Sequence, residues 1–276
     1  MSRRLRRTDP ALREEPVTST APPFLHRSPN GLALHFSIHE VQSYMRADDP
    51  DALALSYTRL MMGFLLWEPQ PQRIGLIGLG GGSLVKFCHR HLNTSRLEVV
   101  EIHPEVIALR DDFELPPDDD RLTIRQADGV AWVRKQREAF DVLLVDGYDE
   151  SGLPSALATR RFYNDCRAAL RPGGWLVANL FGDHPQHAQH LERLRLAFDQ
   201  AVLAVPDLES GVNRAVFAGG GVALGQPLAE NTPPPPGMAP EAWDSLAAEL
   251  AALRSAHAQR LQSTASRRSG ATTAPG

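Results

Sequence analysis

Cysteine is nearly missing: Cys88 and Cys166 are the only two in 276 residues, and they stand far apart inside apolar segments. That excludes a disulfide framework and a thiolate metal site, and it suits buried thiols of a reducing compartment. Charge of one sign is missing too, with 29 Lys and Arg against 33 Asp and Glu. Such a balance offers nothing to attract nucleic acid or an anionic membrane surface, so neither is expected as a partner. Long apolar runs are absent, since LMMGFLLW at 60–67 is far too short for a bilayer. The basic start MSRRLRRTDPALREEP is followed by no apolar stretch, so a signal peptide is not expected and a cytoplasmic chain is. The Gly-Lys-Ser/Thr of a phosphate-binding loop and the G-x-S-x-G elbow of a serine hydrolase do not occur either.

What is present is enough chain for one α/β domain with extensions. Residues 1–23 carry Arg, Pro, Thr and Ser without periodicity and are expected to form a disordered tail. Residues 24–70 form an N-terminal extension. FLHRSPNGLALHFSI reads as a hairpin turning at Asn30-Gly31, and apolar spacing from Leu53 to Trp67 reads as a helix. From 71 to 226 short buried strands alternate with helices. RIGLIG, RLEVVEI, RLTIRQA, FDVLLVD and GWLVANL are strands, with two more near 201–205 and 213–218. Helices are expected at 83–92, 104–112, 129–136, 159–170 and 186–200, with Pro172-Gly173-Gly174 as a turn into the fifth strand. The alternation predicts a doubly wound, mostly parallel, seven-stranded sheet. The segment 227–276 begins with the Pro-rich linker TPPPPG and continues as a helix over about 240–262. Its end, STASRRSGATTAPG, reads as unstructured. Trp243, Leu246, Leu250 and Leu253 share one face of that helix, which suits docking or a homodimer.

The chemistry begins where the first strand of the alternating region breaks into Gly78, Gly80 and Gly82. A glycine turn at the carboxyl end of a central strand lets backbone approach a nucleoside closely. Glu101 ends the second strand, where an acid accepts hydrogen bonds from ribose hydroxyls, and Asp128 follows the third. Each acid alone could be a helix cap; with the glycine turn they share one sheet edge. A dinucleotide site would want a further glycine where Ser83 stands. A nucleoside without a phosphate chain fits better, and a sulfonium nucleoside of the S-adenosylmethionine kind fits best. Asp146 ends the fourth strand and Asp149 lies in the loop after it, and the strand order of such sheets places that loop beside the glycine turn. The pair reads either as helix-capping loop residues or as an acidic pocket for a cation and its proton; the strand-end position favours the pocket, with Tyr148 available to line it.

From Arg73 to Asn179 the chain resembles the spermidine synthase family of aminopropyltransferases, on GLGGGS, VVEIHPEVI, ADG, DGYDES and RRFYNDCRAALRPGG. The D-x-x-D segment and its downstream Phe-Tyr are the specific part; G-x-G-x-G and P-G-G are common to many class I methyltransferases, whose Rossmann-like fold is implied. The resemblance implies that Glu101 holds ribose, Asp128 faces adenine, Asp149 is the catalytic base and Asp146 holds the amine or the sulfonium. It also implies a substrate-pocket role for Tyr57. Four positions depart from the family: Gly81 replaces its loop Asp, Thr58 a Glu, His103 an Asp and Glu150 a Pro. The N-terminal β region is also shorter than the family's.

Two transfer reactions suit these residues. Aminopropyl transfer would use decarboxylated S-adenosylmethionine and a small-molecule di- or polyamine, while methyl transfer would use S-adenosylmethionine itself. A non-catalytic nucleoside-binding protein is a third reading. No metal is expected: His184, His187 and His190 have no thiolate beside them and read as a solvated helix face, and Asp118–Asp120 as a charged turn.

Overall fold

The computed structural model describes residues 23–36, 41–148 and 152–270, with side chains to residue 266. The expected tail at 1–23 therefore lies, except for Pro23, outside the described residues. Strands β1 (Phe24–Ser28) and β2 (Gly31–His35) pair antiparallel with Ser28 opposite Gly31. The turn is thus Pro29-Asn30 rather than Asn30-Gly31, and neither Asn30 nor Gly31 takes a positive φ. Proline presets the first turn position. Gly31 serves close packing instead, because a Cβ there would lie 2.1 Å from the Met45 carbonyl oxygen. That carbonyl belongs to a third strand, β3 (Ser43–Arg46), too short to announce itself by periodicity.

The apolar stretch before the core is shorter and tighter than its spacing suggests. Helix α1 (Ser56–Met61) passes into a 3₁₀ turn over Met62–Leu66. Leu60, Met61, Met62, Phe64 and Leu65 are all fully buried, so the segment runs through the core with no solvent face.

The main sheet has seven strands in the order β6-β5-β4-β7-β8-β10-β9. They are β4 (Arg73–Ile77), β5 (Arg96–Glu101), β6 (Leu122–Gln126), β7 (Phe140–Val145), β8 (Leu170–Phe181), β9 (Val202–Pro206) and β10 (Asn213–Gly219). β10 runs antiparallel to both neighbours, and the pairs from β6 through β8 are parallel. The chain fills β4, β5 and β6 outward on one side and then crosses to β7 on the other. That leaves a crevice over the carboxyl end of β4, the position where such sheets hold ligands. Strand β8 starts earlier than expected: Leu170 already pairs Phe140, and Pro172-Gly173-Gly174 form an irregularity inside it.

The helices are α2 (Ser83–His91), α3 (Pro104–Ala108), α4 (Gly129–Val133), α5 (Arg160–Ala169) and α6 (His187–Ala197). α3 and α4 are single short turns of helix where longer ones were expected. The region expected as one helix over 240–262 is two, α7 (Pro240–Asp244) and α8 (Ala247–Gly270). α8 continues through residues that read as unstructured. Leu246, Leu250 and Leu253 are buried in the core of their own chain, against α1, the 3₁₀ turn and β9. The histidine segment also differs from expectation. His190 is buried and stacks on His184 at 5.3 Å, while His184 and His187 are half-buried, so the three do not form one solvated face. Burial lowers the His190 pKa to about 4. Among the described residues no helix is long and apolar enough to cross a membrane.

Candidate active site

Backbone shape comes first. Gly78 and Gly80 have φ of +95° and +53°, in the region that disfavours side chains. A Cβ on Gly78 would sit 2.1 Å from the Asp146 carbonyl oxygen, so the glycine turn lies directly against the end of β7. The Asp146 N–H in turn donates to the Ile77 carbonyl at 2.9 Å. Gly82, with φ +70°, is the N-cap of α2 and does not line the cavity. Gly81 also faces away. A Cβ there would meet Ser43 Oγ at 2.7 Å and the buried Phe113 ring at 2.8 Å, so the chain has no room for the acid that the resemblance puts there.

Above this turn opens a cavity of about 590 Å³, lined by Gly78 and Gly80 together with Glu101, Asp128, Asp146, Tyr57 and Tyr148. Glu101 is 7% exposed at the end of β5. Its Oε2 accepts the Leu79 N–H at 2.8 Å and its Oε1 accepts the His103 N–H at 2.9 Å. The carboxylate therefore holds the glycine turn in place and keeps further lone pairs for a ligand. Asp128 caps α4 by accepting the Val130 N–H at 2.8 Å and lines the same cavity. Cap and cavity wall coincide in one residue.

Across the crevice, Asp146 Oδ1 accepts from Asn179 Nδ2 at 2.9 Å and its Oδ2 accepts from Tyr57 OH at 3.2 Å. Burial raises the Asp146 pKa, while these two donors oppose the shift. Tyr148 donates from its hydroxyl to the Asn179 carbonyl at 3.1 Å and packs its ring on Phe181 with centroids 4.2 Å apart. Burial raises both phenol pKa values, that of Tyr57 well above the ordinary range, so both stay neutral donors. Asp149 lies outside the described residues.

Asn179 was not singled out from the sequence, yet it joins Asp146 to Tyr148. Its Oδ1 is buried and has no partner among the described residues, and the same holds for Asn213 Oδ1; both residues line the cavity. The signal was there: Asn179 is the one polar residue in WLVANLF. Because Val145 pairs with Ala178, the next positions on the two strands are Asp146 and Asn179. Acceptors on a cavity wall are free to take N–H donors from a ligand. The residues present thus fit a nucleoside on the β4–β6 side and a hydrogen-bond-donating cation on the β7–β10 side. Among the described residues no group of three or more His, Cys, Asp or Glu could hold a metal ion.

The match to known proteins agrees with this geometry. The spermine/spermidine synthase domain model matches residues 54–207. The polyamine aminopropyltransferase of Chromobacterium violaceum is 41% identical over 187 residues, covering 67% of this chain and 71% of that protein. Among solved structures, a spermidine synthase in complex with the transition-state analogue AdoDATO superposes with a TM-score of 0.56 at 21% identity, over 80% of this chain and 78% of that one. Human methyltransferase-like protein 13 in complex with SAH gives a TM-score of 0.55 at 24% identity, over 71% and 91%. At these identities the two structures speak to the fold, and they share its α/β architecture.

Proposed function

The chain belongs to the spermine/spermidine synthase family of transferases, and we propose that it moves an aminopropyl group from decarboxylated S-adenosylmethionine to a di- or polyamine. The supporting observation is the Tyr57–Asp146–Asn179 cluster, its Asn179 oxygen without a partner among the described residues, facing the glycine turn across one cavity. Residues 71–226 are the proposed catalytic unit. Glu101 accepts from the ribose hydroxyls, Asp128 faces the base, and the side-chain-free backbone at Gly78 and Gly80 gives the nucleoside its clearance.

A sulfonium nucleoside supplies an electrophilic carbon and leaves as methylthioadenosine. The protein's task is to present a neutral amine to that carbon. An alkyl ammonium with a pKa near ~10.4 costs roughly 4–5 kcal/mol to deprotonate at pH 7. Asp149 takes that proton in this reading, and alignment of the amine contributes the rest. Asp146 holds the cation: its raised pKa falls again when an ammonium sits beside it, and Tyr57 and Asn179 keep its two oxygens in place. Asn179 Oδ1 accepts one of the amine's N–H groups.

Calorimetry of the purified protein with decarboxylated S-adenosylmethionine, S-adenosylmethionine and methylthioadenosine in parallel tests the binding half. The first and third should bind and the second should bind more weakly. If none binds, the nucleoside reading fails.

A further inference from the structure

Resting on that reading, we propose that Arg59 is a positioning residue which, through Glu249 of α8, braces the amine-facing wall of the site. Neither the motifs nor the matched segment 54–207 covers α8. The brace begins with one guanidinium serving three parts of the chain. Arg59 Nε donates to Glu249 Oε1 at 2.8 Å and Nη2 donates to Glu209 Oε1 at 2.5 Å. Nη1 donates to the carbonyls of Leu53 and Ala54 at 2.9 and 3.0 Å. Arg59 follows Tyr57 and Thr58, which line the cavity; Glu209 precedes Ser210, which lines it too.

The loop between β9 and β10 is held from within by Asp207. This buried carboxylate accepts from Ser56 Oγ at 2.6 Å, Ser210 Oγ at 2.7 Å, and the N–H groups of Ser210 and Asn213 at 2.8 and 3.0 Å. The Ser56–Asp207 bond therefore ties the loop to α1, and both present side chains to the cavity. Among the described residues the side-chain hydrogen bonds of Glu101 and Asp128 go to Leu79, His103 and Val130, not to this network.

The choice of an ion pair is what argues for positioning. Glu249 is 3% exposed and Arg59 18%. A buried pair of this kind is commonly no more stabilising than apolar residues of the same volume, because both charges lose their water. Leucine and methionine would pack α8 onto α1 at least as well. They would not fix Arg59 toward Glu209 and the carbonyls, and that directional constraint is what the charged pair adds.

The test uses the full chain and the double variant Arg59→Met/Glu249→Leu, with Glu249→Gln as the milder partner. The readouts are the KM for a diamine, the Kd for methylthioadenosine, thermal midpoint, and hydrogen exchange over 207–213 with methylthioadenosine bound. The double variant should keep its nucleoside Kd, raise the diamine KM about five- to twentyfold and speed exchange in the loop, the thermal midpoint serving to show that it folds. Glu249→Gln should shift KM and exchange in the same direction by less. If KM and loop exchange stay at wild-type values in both variants, the brace is overturned. If the double variant does not fold, Glu249→Gln decides on the same two readouts. If the wild type transfers nothing to any diamine, the functional reading fails by itself, and loop exchange alone still decides whether α8 braces this wall.

Discussion

Asp146 and Asn179 occupy neighbouring strand ends at matched register, and the Asn179 amide donates to the Asp146 carboxylate at 2.9 Å. A hydrogen bond to a charged group contributes about 1.5–3 kcal/mol, and here it also fixes where Oδ1 points. Asn179→Ala should lower transfer to a diamine by roughly 10- to 100-fold. Binding of methylthioadenosine should change little, since the substitution lies on the amine side. Steady-state kinetics beside calorimetry separates the two effects, and equal losses in both would remove Asn179 from the amine site.

Gly78 and Gly80 should respond differently to the same methyl group. At Gly78 the Cβ meets backbone at 2.1 Å, whereas at Gly80 the nearest atom is Ser43 Cβ at 3.7 Å. Gly80→Ala should fold with a loss of about 1–2 kcal/mol from its left-handed backbone. Gly78→Ala should lose several times the midpoint shift, along with nucleoside binding, because β4 and β7 must part to accept it. Thermal melts of both variants check this ordering.

The sheet was legible because its strands are continuous apolar runs with turn residues between them; β4 through β7 appear where RIGLIG to FDVLLVD place them, and β8 contains GWLVANL but begins four residues earlier. The cavity wall at Glu101, Asp128 and Asp146 was legible for a related reason, since polar residues ending apolar strands mark the ligand edge. What escaped has local causes. β3 is four residues long, too short for a period of two to show. The hairpin turn followed Pro29, whose fixed φ outweighed the Asn-Gly preference. α8 extends through a polar Ser/Arg-rich stretch because its first turns are anchored by burial of Leu246, Leu250 and Leu253, a tertiary effect. Asn179 was hidden inside a strand, and only its register with Asp146 gives it meaning.

His190 makes a pH prediction. Its pKa is lowered from 6.5 to about 4 by burial, so between these values the unfolded chain binds more protons than the native one. The stability it contributes is complete above about pH 6.5 and disappears as pH falls toward about 4, on the order of 3 kcal/mol over the window. Asp146, whose pKa is raised, works in the opposite sense: its contribution is present at low pH and lost as pH rises through its folded value. Melting curves from pH 4 to 7.5 should therefore show a shallower acid slope for His190→Gln than for wild type. Parallel slopes would mean that this imidazole is not the titrating group.

Glu101→Gln should weaken methylthioadenosine binding by about 1–3 kcal/mol. The amide keeps one acceptor for the Leu79 or His103 N–H and turns an NH₂ toward the other, which loosens the glycine turn and removes the charge that would meet the ribose. Calorimetry on a folded variant measures it, and an unchanged affinity would place the nucleoside elsewhere.

The most direct test of the whole account is product analysis. The purified chain is incubated with decarboxylated S-adenosylmethionine and a diamine, and both products are followed by mass spectrometry. Aminopropyl transfer gives methylthioadenosine and an aminopropylated amine in equal amounts, and Asp149→Asn should abolish both together at unchanged nucleoside affinity. Consumption of S-adenosylmethionine with methyl transfer, and none of the decarboxylated form across a wide range of pH and amines, would contradict it.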